Sequence, residues 1–236
     1  MEKKELLYEG KAKKVYTTEN PEQLIVSYKD DATAFDGQKK GTIVGKGAIN
    51  NRMTNHIFKL LEKKGVPTHL VEELNDRETV VKKVEIVPLE VIIRNFSAGS
   101  FAKKLGMEEG IKLACPTLEF SYKNDDLHDP FINSYYALAL KLATQEEIDV
   151  ITKYAFVVND VMREYFAGLG IELIDFKIEF GRLSDGTVIL ADEVSPDTCR
   201  LWDKETHEKL DKDRFRRDLG NVEDAYQEVF RRLGIQ

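Results

Sequence analysis

Cysteine is scarce in this sequence: only Cys115 and Cys199 occur, and they form neither a CxxC pair nor a zinc pattern. A disulfide framework is thereby excluded, and a reducing cytoplasm is the expected setting. Long apolar runs are also missing. No stretch approaches the roughly 18 residues a membrane helix needs, and MEKKELLYEG at the start lacks the apolar region of a secretion signal. The expectation is a chain that neither spans a membrane nor is exported. Basic charge is in deficit, since 35 Lys and Arg against 42 Asp and Glu leave a net charge of −7. A general nucleic-acid binder needs a basic face for phosphates, and this balance offers none. The four histidines (His56, His69, His128 and His207) share no metal-ligand spacing, so each reads as a surface or hydrogen-bonded residue.

Familiar nucleotide and hydrolase signatures are absent as well. Neither G-x-G-x-x-G nor G-x-S-x-G occurs. The run from Gly41 to Gly47 is one residue short of a P-loop and has no hydroxyl after Lys46. Hydride transfer and serine hydrolysis therefore have no motif behind them.

What is present is an ordinary globular composition, 42% hydrophobic and 33% charged, over 236 residues. That length fits one large domain or two closely packed ones. Leu6–Tyr8, Lys14–Tyr16 and Leu24–Tyr28 read as short strands. A lysine-rich segment, Asp36–Gly47, precedes an amphipathic helix over Ala48–Lys64 with Ile49, Met53, Ile57, Leu60 and Leu61 on one face. Strands are expected over Thr79–Val84 and Leu89–Asn95, divided by Val87-Pro88. A short helix over Ser100–Leu105 closes at Gly106, a long one spans Glu146–Ala167, and two more lie at the C-terminus. No regular βαβ alternation occurs, so the fold class is α+β, with a division near residues 75–105.

The most informative segment is Ile171–Val194. In ELIDFKIEF, Ile174, Phe176, Ile178 and Phe180 alternate with Asp175, Lys177 and Glu179, so a strand would have an apolar face and a charged one. Asp185-Gly186 signals a two-residue hairpin turn. On that register Glu179 lies opposite Asp192, two like charges that become favourable with a hard divalent cation between them. A plain exposed hairpin is the alternative, and a register slip of one residue would move Asp192 to the other face. Further on, Arg200 follows a Ser-Pro-Asp turn and suits either a phosphate clamp or a structural salt bridge. Around Glu90–Lys104, Arg94, Ser97 and Ser100 lie where a strand meets a helix start, which fits a phosphate site or simply an N-cap. Gly10, Lys11, Ala12 and Lys13 form a lysine-rich turn able to lie over nucleotide phosphates, or merely to be solvated.

Taken together, GKAKKVY at 10–16, VPLEVIIRNFSAGS at 87–100, DFKIEFG at 175–181, DEVSPDTCRLWDKET at 192–206 and DKDRFRRDLG at 211–220 resemble the SAICAR synthetase family of purine biosynthesis, in its short bacterial form. The resemblance implies a two-lobed fold: a β-rich N-terminal lobe (1–85) and an ATP-grasp- or kinase-like C-terminal lobe (86–236). It implies an ATP-dependent ligase that joins L-aspartate to carboxyaminoimidazole ribonucleotide (CAIR), giving SAICAR, ADP and phosphate. ATP would lie near Gly10, Lys11, Ala12, Lys13, Lys82, Lys83 and Lys123, with Mg²⁺ on Glu179 and Asp192. The ribonucleotide would meet Glu90, Arg94, Ser100 and Arg200, and Lys177 and Asp175 would stand at the reacting carboxylate. A cytoplasmic homodimer is implied, with no nucleic-acid or membrane partner. A small-molecule kinase and a nucleotide-sensing binding protein are the rival readings, separated by dependence on both CAIR and aspartate.

Overall fold

The computed structural model describes residues 1–34 and 37–235. Asp36, at the start of the lysine-rich segment singled out above, lies outside the described residues. Residues 6–82 build an antiparallel sheet from β1 (Leu6–Glu9), β2 (Lys13–Thr17), β3 (Gln23–Tyr28), β6 (Leu70–Asn75) and β7 (Glu78–Lys82), in the order β1-β2-β3-β7-β6. Between β3 and β6 come a small hairpin, β4 (Asp31–Ala34) with β5 (Lys39–Thr42), and helix α1 (Lys46–Glu62). Asp30 accepts the Gly45 and Gly47 N–H groups at 3.2 and 2.9 Å, placing a carboxylate at the start of α1, where the helix dipole favours it.

The second sheet holds β8 (Glu85–Phe96), β9 (Lys112–Tyr122), β10 (Phe131–Ile132), β11 (Ile171–Arg182), β12 (Val188–Ala191) and β13 (Cys199–Asp203). Its order is β10-β9-β8-β11-β12, and β13 pairs with the first half of β11 as β12 does with the second. Helices α2 (Gly99–Leu105), α3 (Ser134–Ala139), α4 (Gln145–Gly168), α5 (Asp213–Arg216) and α6 (Val222–Leu233) complete the chain. Thr144 and Glu147 start α4 with a reciprocal capping box.

One face of the second sheet packs on α4. Val87, Leu89, Val91 and Ile93 of β8 and Phe176, Ile178 and Phe180 of β11 meet Ile151, Ala155, Val158, Met162 and Phe166 of α4. Met53, Ile57, Phe58 and Leu61 of α1 belong to the same core. The helix face expected from the sequence divides: Ile49 packs instead with Ala32, Ile43 and Tyr226.

Four local expectations are corrected. Glu179 pairs with Ala191, not Asp192, because the hairpin closes with Leu183 N–H on the Thr187 carbonyl and a three-residue loop, Ser184-Asp185-Gly186. Gly186 supplies the positive φ of 85° that such a loop needs. The apolar alternation of β11 breaks at a bulge between Leu173 and Asp175, so Leu173 joins the main core while Ile174 packs with Ala98 and Trp202. Pro88 does not divide two strands: β8 runs through it. Pro88 has no N–H to donate and sits where β8 carries extra residues between the Glu90–Glu179 and Ile86–Gly181 pairs. Neither Ser97 nor Ser100 caps α2, whose N-cap is Ala98.

Gly181 lies where β8 and β11 approach closely, and a Cβ there would overlap the Val84 side chain. Gly181→Ala should lower the unfolding free energy by about 1–3 kcal/mol in a urea titration. Adding Val84→Ala should recover at least half of the loss; a Gly181→Ala protein as stable as the parent would refute the close approach.

Candidate active site

The charged face of β11 is where the two sheets meet. Lys177 donates to Glu90 Oε1 of β8 at 2.7 Å and to Glu179 Oε1 at 3.0 Å. Lys123, just beyond β9, binds the same Glu179 oxygen at 3.0 Å. Glu179 is only 3% exposed, so its charge depends on these lysines. From the first sheet, Lys13 at the start of β2 reaches Asp192 at 2.5 Å and Glu193 at 2.9 Å, with its ammonium 5.3 Å from the centre of the Tyr28 ring. Burial alone would pull Lys13 down, yet Asp192 and Glu193 hold its pKa well above the usual lysine range. Burial likewise opposes the charge on Asp192, and Lys13, Lys177 and Lys123 hold its carboxyl well below the ordinary value. Lys177 is raised for the same reason, against burial, by Glu179, Glu90 and Asp192.

Asp192 thus reaches the Glu179 cluster although it is not its strand partner. It is the first residue after β12 and takes a left-handed backbone, φ 59°. The buried His69 stands near it, its main-chain N–H bound to the Leu190 carbonyl at 2.9 Å.

A second group lies further along β11. Asp175 pairs across the sheet with Arg94 on one side and Arg200 on the other. Its carboxylate accepts from Arg94 Nη1 at 2.7 Å and from Arg200 Nη1 at 2.8 Å. Arg94 also donates to Glu119 at 2.8 and 3.1 Å and to Ser100 Oγ at 3.2 Å, and Arg200 donates to Asp213 at 2.8 Å. Burial works against the charge of Asp213, but Arg200 and Arg216 keep its pKa at about 2. Gly99 (φ 53°) leaves room for the Arg200 guanidinium, which any Cβ there would strike.

The remaining residues singled out from sequence fall as follows. Gly10 makes the β1–β2 turn, its N–H bound to the Lys13 carbonyl at 2.8 Å, and the Ala12 carbonyl accepts from Lys29 at 2.8 Å. Lys11 is exposed and reaches Asp125 at 2.9 Å. Lys82 donates to the Thr68 carbonyl at 3.1 Å, while Lys83 is exposed just past β7; neither is paired with Glu90, Glu179, Asp192 or Glu193. Sequence reasoning missed Glu119, Glu193, Asp213 and His69. None of these carried a local signal: Glu119 lies on β9, where Pro116 and an irregular alternation hide the strand.

A divalent cation fits the donor set. Four carboxylates (Glu90, Glu179, Asp192 and Glu193) face three ammonium groups (Lys13, Lys123 and Lys177), an excess of negative charge in a largely buried setting. Among the described residues no group of three or more metal-ligating side chains converges. Two carboxylates with the rest of the shell from phosphate and water is the Mg²⁺ pattern, not that of an all-protein cage.

Residues 6–233 match the family model for SAICAR synthetase. The chain is 76% identical to the phosphoribosylaminoimidazole-succinocarboxamide synthase of Lachnoclostridium phytofermentans, over the full length of both. It is 62% identical to that of Thermoanaerobacter sp. strain X514, over 99% of each chain. Among solved structures, the synthase from Ehrlichia chaffeensis superposes with a TM-score of 0.96 at 43% identity, covering 98% of this chain and 99% of that one. A SAICAR synthetase in complex with ADP gives 0.92 at 47% identity, covering 95% and 96%.

His69 yields a pH prediction. Burial, reinforced by Lys13, pushes its pKa down to about 3. Below the ordinary histidine value near 6.5 the unfolded chain takes up a proton that the folded chain does not, so stability falls as pH drops from about 6.5 toward 3. At about pH 5 the penalty is on the order of 2 kcal/mol. In His69→Phe the fall in Tm between about pH 7.5 and about pH 5 should shrink by roughly 4–8 °C. An equal fall in variant and parent would show that His69 titrates like a free histidine.

Proposed function

The chain belongs to the SAICAR synthetase family, an ATP-dependent ligase of de novo purine biosynthesis, and from that premise we propose how its residues divide the reaction between two ends of one cleft. The reaction joins L-aspartate to the carboxylate of CAIR and yields SAICAR, ADP and phosphate. The observation that carries the division is the charged face of β11. One end gathers lysines and carboxylates against the first sheet; the other sets Asp175 between two arginines.

At the first end, Lys13, with Lys11 and the Gly10-Ala12 turn, takes the triphosphate, and Lys123 lies alongside. Lys82, at the end of β7, and Lys83, just past it, border the nucleotide. Glu179 and Asp192 hold Mg²⁺. When bound, Mg²⁺ offsets charge on the phosphates as the terminal phosphoryl group moves. At the second end, Arg94, Ser100 and Arg200 take the ribonucleotide phosphate, the guanidiniums turning part of their hydrogen bonding from Asp175 to the ligand. Glu90 and Asp175 meet the ribonucleotide near its reacting group.

A carboxylate is a poor acyl donor because its leaving group would be oxide. Transfer of the terminal phosphoryl group to the CAIR carboxylate removes that obstacle, and the aspartate amine then displaces phosphate from the acyl phosphate. Lys177, between Glu90 and Glu179, stands where the two ends meet and contacts the carboxylate as it gains the phosphoryl group. These side chains are already oriented by their mutual ion pairs, so positioning and electrostatics supply most of the acceleration.

The same reading takes residues 1–85 as the lobe covering the nucleotide and 86–236 as the lobe carrying substrate and metal, the latter in an ATP-grasp- or kinase-like arrangement. It takes the protein as a cytoplasmic homodimer without nucleic-acid or membrane partners. Among the described residues no helix is long and apolar enough to cross a membrane.

The test of the reaction is ADP release. CAIR plus aspartate should give rapid turnover, and omitting aspartate should reduce it to a small residual rate. Full ADP release without aspartate would indicate a kinase instead. Glu179→Gln and Asp192→Asn should each lower kcat at least 100-fold and raise the Mg²⁺ concentration for half-maximal rate, a loss larger than any accompanying change in the melting curve can account for. Normal turnover in both would remove the metal assignment.

A further inference from the structure

We propose that Glu193, fixed by the Ser195 hydroxyl, is a positioning residue for Lys13: it holds the ammonium at the nucleotide phosphates when Mg²⁺ draws Asp192 away. The proposal rests on the reading of Lys13 as a phosphate-binding group and of Asp192 as a carboxylate of the metal end.

Lys13 pairs with two adjacent carboxylates, Asp192 at 2.5 Å and Glu193 at 2.9 Å, but the two are not equivalent. The Asp192 side chain is 24% exposed, so an ion can reach it, whereas that of Glu193 is 5% exposed. Lys13 meets one oxygen of Glu193, Oε1, while the other, Oε2, accepts from the Ser195 hydroxyl at 2.6 Å. Both oxygens of Glu193 are therefore committed to the protein. A divalent cation at Asp192 competes with the ammonium for that carboxylate and repels it. A largely buried ammonium that loses one partner needs the other to stay in place.

The chain around Ser195 is built to keep Glu193 still. The Ser195 hydroxyl oxygen accepts the Asp197 N–H at 3.1 Å, which leaves its single proton for Glu193. The Ser195 carbonyl accepts the Thr198 and Cys199 N–H groups at 3.0 and 2.9 Å and closes a tight turn. That turn is tied to three other elements. The Thr198 carbonyl accepts the Lys177 N–H of β11 at 2.8 Å. Asp197 binds the Lys46 ammonium of α1 at 2.8 Å and the Tyr226 hydroxyl of α6 at 2.5 Å. Just before the turn, the Thr54 hydroxyl of α1 donates to the Val194 carbonyl at 3.2 Å and accepts the Val194 N–H at 3.3 Å. Ser195 is itself wholly buried, so its hydroxyl acts on a ligand only through what it holds.

The experiment measures ADP affinity by calorimetry, with and without Mg²⁺, in the parent, Glu193→Gln, Ser195→Ala, Lys13→Met and the two double variants that contain Lys13→Met. Glu193→Gln keeps the size of the side chain and loses its charge; Ser195→Ala keeps the charge and releases it. With Mg²⁺, affinity should fall about tenfold in Glu193→Gln and about threefold in Ser195→Ala. Without Mg²⁺, where Asp192 still holds the ammonium, both should stay within about twofold of the parent. In Lys13→Met neither second substitution should change affinity more than about twofold further, because effects that pass through one residue do not add. A Glu193 that ligated the metal itself would weaken ADP as much in Lys13→Met as in the parent, and a general loosening of the turn would act equally with and without Mg²⁺. Either result would overturn the proposal, as would unchanged affinity in Glu193→Gln with Mg²⁺. Ser195→Ala carries the same test if Glu193→Gln does not melt cooperatively. If Lys13→Met leaves ADP affinity intact, the reading of Lys13 at the phosphates falls and takes the proposal with it. If it weakens ADP while Glu193→Gln does not, only the role of Glu193 falls.

Discussion

Strand β11 is buried on both faces yet carries Asp175, Lys177 and Glu179 along one of them. Ionised groups removed from water are tolerated only when each has an opposite charge at hydrogen-bonding distance. Every one of the three has such partners, and the partners come from four separate places: β8, β13, the end of β9 and the residue itself two positions along the strand. Removing any single member strands a charge in a poorly solvated site. The electrostatic closure of this row thus constrains the order of strands around β11 as firmly as the apolar face constrains the packing of α4.

That closure also explains how the charged row can be polar and rigid together. Of the basic residues proposed for the phosphates, Lys13, Arg94 and Arg200 are largely desolvated and already oriented by carboxylates. An incoming anion exchanges one negative partner for another, so little reorganisation accompanies binding. Lys13 has a further consequence, since its contacts with Asp192 and Glu193 join the first sheet to the segment between β12 and β13. Whatever displaces that ammonium alters the seam between the sheets as well as the local charge.

Much of this was legible in the sequence because it depends on neighbours along the chain. The long helix, the charged face of β11 and four strands of the first sheet (β1, β2, β3 and β7) follow from local pattern, whereas β6 was not read. The site was less legible where it depends on register. Asp185-Gly186 reads as a two-residue turn, but the chain uses three, and that one-residue difference takes Asp192 out of the position opposite Glu179. The Leu173–Asp175 bulge likewise reverses the parity of Ile174, which no alternation rule anticipates. Strand β9 escaped notice because KLACPTLEFSY contains a proline and no clean alternation, so Glu119 went unseen beside Arg94. Glu193 and Asp213 meet Lys13 and Arg200 through tertiary placement, and His69 is an isolated histidine with no motif around it.

Helix α1 lies in the sequence among the strands of the first sheet, but Met53, Ile57, Phe58 and Leu61 complete the core beneath the second. The halves of this chain are therefore not interchangeable modules. A recombination event that swapped the first 85 residues for those of a distant relative would have to bring a helix whose inner surface matched β8, β11 and α4. Sequence drift along that helix should track drift in the later half more closely than drift in the hairpins that flank it.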